Sequence, residues 1–200
     1  CVIRKLPKLF VFFGRTKTAD FSMFISNNFN KPWIIQKEIL CHIPKMMATL
    51  GENTLAVYIL SCMEMLIGNN SNELKAYELI KSIHQLLKME FLTPKGAVEF
   101  FIKLLPYLIH PNLLIKNEMI NFSQSLLKCL TPEEIFSYLY KPLSGYLTIP
   151  PVIITSEIIQ KYLIERLNRI TYQLEFRKKE ERKTETPMNT NSKVSEEKKE

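Results

Sequence analysis

The chain has 200 residues, 46% of them hydrophobic and 24% charged, enough apolar material to bury a core without disulfides or a metal. Five glycines, four cysteines and a high aliphatic content exclude a collagenous, disulfide-stapled or wholly disordered chain. The net charge is +7 with a pI near 9.2, but the excess sits at the ends. Cys1 to Thr18 carries Arg4, Lys5, Lys8, Arg15 and Lys17 with no acid, whereas Ala19 to Leu174 is close to neutral. A nucleic-acid partner is therefore not expected.

In chain order, residues 1–17 read as a basic, apolar flank, the last helix of a truncated upstream repeat whose apolar side packs on Phe21 and Phe24. The other reading is an amphipathic helix touching anionic lipid. Val2 to Phe13 has no small-residue cleavage site after its apolar part, so a truncated or internal segment is expected rather than a signal peptide. No apolar stretch approaches the roughly 20 residues of a spanning helix, which predicts a soluble protein. Cys1, Cys41, Cys62 and Cys129 lie far apart, with no metal-ligand spacing, and read as reduced thiols of a cytosolic protein.

Residues 18–176 carry a period of 40. Ile34, Leu74 and Leu114 coincide, as do Glu38, Glu78 and Glu118; Ile39-Leu40, Leu79-Ile80 and Met119-Ile120; and Met46-Met47, Leu86-Leu87 and Leu126-Leu127. On a 3.6-residue period these apolar positions share one side of a helix, with the glutamate near its positive start. The preceding halves align too, Phe24-Ile25 over Leu104-Leu105, with Glu64 breaking the middle copy. Each copy thus predicts two helices, separated by Asn30-Lys31-Pro32, Gly68 to Asn72 and His110-Pro111-Asn112.

Thr93-Pro94 and Thr131-Pro132-Glu133-Glu134 read as N-cap, proline and acid starts. The latter opens a helix to about Tyr140 that Pro142 and Gly145 end, and a long amphipathic helix from Ser156 to about Phe176 closes the stack. Units of 18–50, 53–91, 94–130 and 131–176 make the expected fold all-α, a HEAT/armadillo-type α-solenoid of about four helical hairpins. Residues 177–200, rich in Lys and Glu, are expected to be a disordered tail.

No residue set predicts chemistry. His42, His84 and His110 have no Cys, Asp or Glu at a repeated spacing; His110 falls in an inter-helix turn and the others on helix surfaces. Cys41, Cys62 and Cys129 are expected in the core. Glu133-Glu134 serve the helix dipole. Trp33 reads as a plug between repeats, with a partner anchor as its alternative. No catalytic residue, cofactor or metal is expected, and a Gly-rich phosphate loop, V-A-I-K, H-R-D and D-F-G are all missing from the sequence.

Several stretches carry a more specific resemblance. Phe12-Phe13-Gly14-Arg15, Lys17-Thr18 and Asn30-Lys31-Pro32-Trp33 resemble the opening of the HEAT-repeat region in the regulatory subunit of the class III phosphatidylinositol 3-kinase complex. Pro106 to Leu113 with Ile115-Lys116 resembles that family's P-x-L-x-H-P-N-L-W-I-R stretch, and Leu130 to Ile135 its L-S-P-x-D-V helix start. Leu114 replaces its usual Trp, and Gln36 and Lys116 its usual Arg.

The resemblance implies a scaffold lying between a serine/threonine kinase-like domain and a WD-repeat propeller of one parent chain. Its partners would be the lipid kinase catalytic subunit and other complex subunits. Its place would be cytoplasmic, peripheral on endosomal or autophagic membranes through the complex. Phe13, Arg15, Trp33, His110 and Asn112 are the candidate partner-contact or inter-repeat positions. A stand-alone helical adaptor or a basic nucleic-acid-binding repeat protein is the alternative.

Overall fold

The computed structural model describes residues 2–13, 17–50, 59–68, 72–149 and 151–175. A 3-10 turn over Val2–Lys5 leads into α1 (Leu6–Phe13), followed by α2 (Thr18–Phe29), α3 (Trp33–Leu50), α4 (Leu60–Gly68) and α5 (Glu73–Lys88). Next comes α6 (Pro94–Leu104), prolonged by a 3-10 segment over Leu105–Ile109, and then α7 (Leu113–Cys129). Pro132–Glu134, Ile135–Tyr140 with π spacing and Lys141–Ser144 run on as one helix, α8. The last helices are α9 (Ser156–Tyr162) and α10 (169–175). Among the described residues there is no strand, only an isolated bridge between Leu147 and Leu163.

The helices stack as an α-solenoid. In one row α1 packs on α3, α3 on α5, α5 on α7 and α7 on α9; in the other, α4 packs on α6 and α6 on α8. The first row exists because its apolar residues recur at three- and four-residue steps. Ile39, Leu40, Ile43, Met46 and Met47 of α3 are fully buried, as are Leu79, Ile80, Ile83 and Leu86 of α5 and Met119, Phe122 and Leu126 of α7. Each helix buries its stripe only against its neighbours, which is what joins successive pairs into one continuous core. Phe101 of α6 meets Phe122 of α7 edge-on at 5.6 Å.

The helix starts follow their caps. The Asn72 side chain accepts from the Leu74 and Lys75 amides, and Asn112, one period later, accepts from Leu114. Thr93 caps α6 ahead of Pro94, and Thr131 forms a reciprocal capping box with Glu134. At the end of α5 the Phe91 amide bonds back to Leu86 O and the Glu90 amide to Leu87 O, a Schellman closure that puts Glu90 at φ 61°.

Pro44 lies inside α3. It has no N–H for the carbonyl of Leu40 one turn earlier, and the buried hydroxyl of Ser82, from α5, donates to that oxygen instead.

Several expectations are corrected. The helix expected from Ser156 to Phe176 stops at Tyr162, and α10 begins only at residue 169, because the backbone between them bonds to Tyr146 in the turn after α8 and to Ile109 at the end of the 3-10 segment. The helix from Thr131 passes Pro142 and ends at Ser144, since that proline stands in the first turn after the π segment. Cys41 and Cys129 are exposed, on the sides of α3 and α7 turned from the core, and only Cys62 is buried. His84 is buried rather than superficial. Finally, α1 places Leu6 and Phe10 in the core against α3, while Phe24 stays partly exposed; the side chain of Phe21 lies outside the described residues.

Candidate interaction surface

Of the five positions singled out from the sequence, His110 and Asn112 come together. They form the link between α6 and α7, where the Asn112 amide donates to His110 Nδ1 at 3.0 Å. While its Oδ1 caps α7, Asn112 Nδ2 donates to Glu73 Oε2 at 2.7 Å. Glu73 is the first residue of α5, so the link of one helix pair grips the start of the preceding second helix.

Arg169 completes the cluster, donating from Nη2 to Glu73 Oε1 at 2.9 Å. The His110 ring lies against Tyr107 at 5.9 Å and edge-on to Tyr172 at 4.6 Å. Burial holds its imidazole below the usual histidine range; the Glu73 carboxylate opposes that shift and Arg169 adds to it. An Nδ1 that accepts the Asn112 amide must itself carry no proton. Burial likewise lowers Lys116, whose ammonium donates to Ile164 O at 3.2 Å, and raises the Tyr172 phenol.

The remaining three positions stand elsewhere. Phe13 is exposed at the end of α1, edge-on to Phe12 at 5.0 Å. Trp33 opens α3 and is 37% exposed, more open than a plug between helix pairs would be. Arg15 lies outside the described residues.

Two features were not read from the sequence. The first position of the 40-residue repeat was placed on the core side, yet Ile34, Leu74 and Leu114 are 58%, 51% and 64% exposed. Each is the second residue of its helix, ahead of the first buried turn, so successive helices present an aliphatic side chain at the same place. The second feature is what the repeated glutamates hold. Arg4 Nε, in the 3-10 turn before α1, donates to Glu38 of α3 at 3.1 Å, and His84 Nδ1 of α5 donates to Glu118 of α7 at 2.7 Å, both across 34 residues. The position corresponding to Arg4 and His84 one period apart is Pro44, which has nothing to donate to Glu78. A donor 34 residues before Glu38 and Glu118, though not before Glu78, was the available signal.

His84 Nε2 also lies 2.8 Å from Ser125 Oγ, and its hydrogen bond is the largest cause holding the Glu118 carboxyl below its ordinary range. Arg4, Lys17, Lys103 and Arg169 are all ion-paired, which withdraws part of the basic excess from any polyanion.

Among the described residues, no three His, Cys, Asp or Glu side chains stand together to hold a metal, and no helix is long and apolar enough to cross a membrane. An open groove between the 151–153 loop and α9 is lined by Ile149, Pro151, Val152, Ile153, Ile158 and Tyr162, with the Tyr162 hydroxyl its sole polar side-chain group.

A Dictyostelium discoideum protein described as "Probable serine/threonine-protein kinase vps15" is 22% identical over 148 residues, which is 73% of this chain. The matched region is 8% of that relative's length. The family described as "PIK3R4-like, middle domain" matches residues 1–175, so the H-P-N link, the glutamate ladder and the exposed aliphatic row all lie within it. The chain belongs to the PIK3R4-like middle-domain family.

Proposed function

We propose that this chain is a scaffold segment of the regulatory subunit of a class III phosphatidylinositol 3-kinase complex. The family match across residues 1–175 carries the reading. The helix pairs over 18–50, 53–91, 94–130 and 131–176 are its HEAT-type units, after the flank of residues 1–17 and before the tail of 177–200. The solenoid holds the lipid kinase catalytic subunit and other subunits in register with the kinase-like and WD-repeat domains of its own parent chain.

The complex serves autophagy and endosomal sorting from the cytoplasmic side, and reaches membranes peripherally through its other parts. Support comes from a surface built of exposed aliphatic side chains at equivalent helix starts, a form suited to protein contacts along a rod. Affinity purification of the intact parent protein tests the reading. The lipid kinase catalytic subunit is expected to co-purify in stoichiometric amount, and its absence would overturn the assignment.

A further inference from the structure

Lys8 is the only charged residue of α1, and the rest of that helix is apolar. Its inner side belongs to the core: Leu6 and Phe10 are 2% and 1% exposed, and the helix packs on α3. The outer side is not polar in compensation. Val11 is 72% exposed and Phe12 80%, with the ring of Phe13 edge-on to that of Phe12. A helix that is apolar on both sides calls for a second apolar environment opposite its core face.

The cations on the same side decide what that environment is. Lys8 stands one turn before both Val11 and Phe12, and Lys5 one turn before Lys8; all four are exposed. Over Cys1 to Thr18 there is no acid at all. Arg4 is turned to Glu38 and Lys17 to Asp20, whereas among the described residues neither Lys5 nor Lys8 is ion-paired. A protein helix laid over Phe12 would desolvate two ammonium groups that α1 gives no carboxylate to balance. A nucleic acid would engage the lysines and leave the aliphatic Val11 without a partner. An anionic bilayer surface takes both kinds of side chain at once: Val11 and Phe12 enter the boundary between headgroups and acyl chains, while the lysine stems reach back to the phosphates.

We propose that the outer face of α1 and of the turn before it, formed by Lys5, Lys8, Val11 and Phe12, is a docking site for an anionic lipid surface. The site is small, so it is a weak, reversible anchor that adds to the membrane contacts made through the other parts of the complex. It stands apart from which kinase complex the chain joins.

Co-sedimentation of the full chain with lipid vesicles tests the site. Vesicles of equal parts phosphatidylcholine and phosphatidylserine should bind the chain about tenfold more tightly than phosphatidylcholine alone, and the difference should fade in high salt. Lys5→Ala with Lys8→Ala should lower that binding by about tenfold or more, and Val11→Ser with Phe12→Ser by about as much. Thermal melting should stay unchanged in both, because all four positions face outward. Should the serine pair melt earlier, Phe12→Ala alone gives the same reading at smaller amplitude. Equal binding to the two kinds of vesicle, or binding that neither pair alters, overturns the proposal. Binding that falls with the lysines but not with Val11 and Phe12, and that poly-uridylate matches, would make the face a reader of any polyanion and overturn the lipid assignment.

Discussion

At the scale of single residues, the solenoid depends on polar groups that compensate for one another across helices. Ser82 is the clearest case. Its buried hydroxyl satisfies the carbonyl that Pro44 leaves open, so Ser82→Ala strands a buried acceptor and should cost about 1–3 kcal/mol in chemical denaturation. Pro44→Ala restores an amide donor to Leu40 O, and in that background Ser82→Ala should be nearly neutral. Equal costs in both backgrounds would contradict the compensation.

His110 makes a pH prediction of definite sign. Its folded value is depressed below the ordinary 6.5 by burial, so the unfolded chain takes up a proton more readily than the folded one. The stability it contributes is fully present above about pH 6.5 and is lost as pH falls from there through the depressed folded value. The groups facing it are Glu73, Arg169, Tyr107 and Tyr172. Stability-versus-pH profiles of wild type and His110→Asn should run parallel above about pH 6.5 and diverge as pH falls below it, where the variant is flatter. Profiles parallel at every pH would count against the assignment.

At the scale of elements, the helix ends are where sequence rules operate most directly. Thr131→Ala removes half of a capping box at the start of α8 and should cost about 1 kcal/mol. Glu90→Gly should stabilise α5 by about 0.5–1 kcal/mol, because glycine takes the positive φ of the Schellman closure without steric cost. Thermal melts check both, and the two shifts have opposite signs.

Elements were also where legibility varied. The 40-residue period, Thr93-Pro94 and Thr131-Pro132 could be read because spacing and capping are local properties. The break at Leu163 could not, since residues 163–168 are held by Ile109, Lys116 and Tyr146 from elsewhere in the chain. The exposure of Ile34, Leu74 and Leu114 was hidden for another reason. A period shows that three residues occupy equivalent places, but whether a place is inside depends on the neighbouring helix reaching it. Within the candidate surface, His110 and Asn112 were visible as a motif, whereas Glu73 and Arg169 lie far from them in sequence and met only on folding.

For the whole molecule, stability and function share one geometry. Each helix of the first row is buried by the next; Arg4 of the turn before α1 pairs with Glu38 of α3, and His84 of α5 with Glu118 of α7. The same stacking places Ile34, Leu74 and Leu114 at equivalent exposed helix starts along the row. At the α3–α5 junction Pro44 offers no such ion pair, and the Ser82 hydroxyl ties α5 to Leu40 O of α3 instead.

The central claim, that this solenoid is the part of the parent that holds the complex together, is tested most directly by charging those helix starts. Ile34→Glu, Leu74→Glu and Leu114→Glu, all at exposed positions, are introduced together into the intact parent protein and the co-purifying lipid kinase catalytic subunit is quantified. A loss of about tenfold or more, with the parent still folded and soluble, is the predicted result. An unchanged yield of catalytic subunit would contradict it.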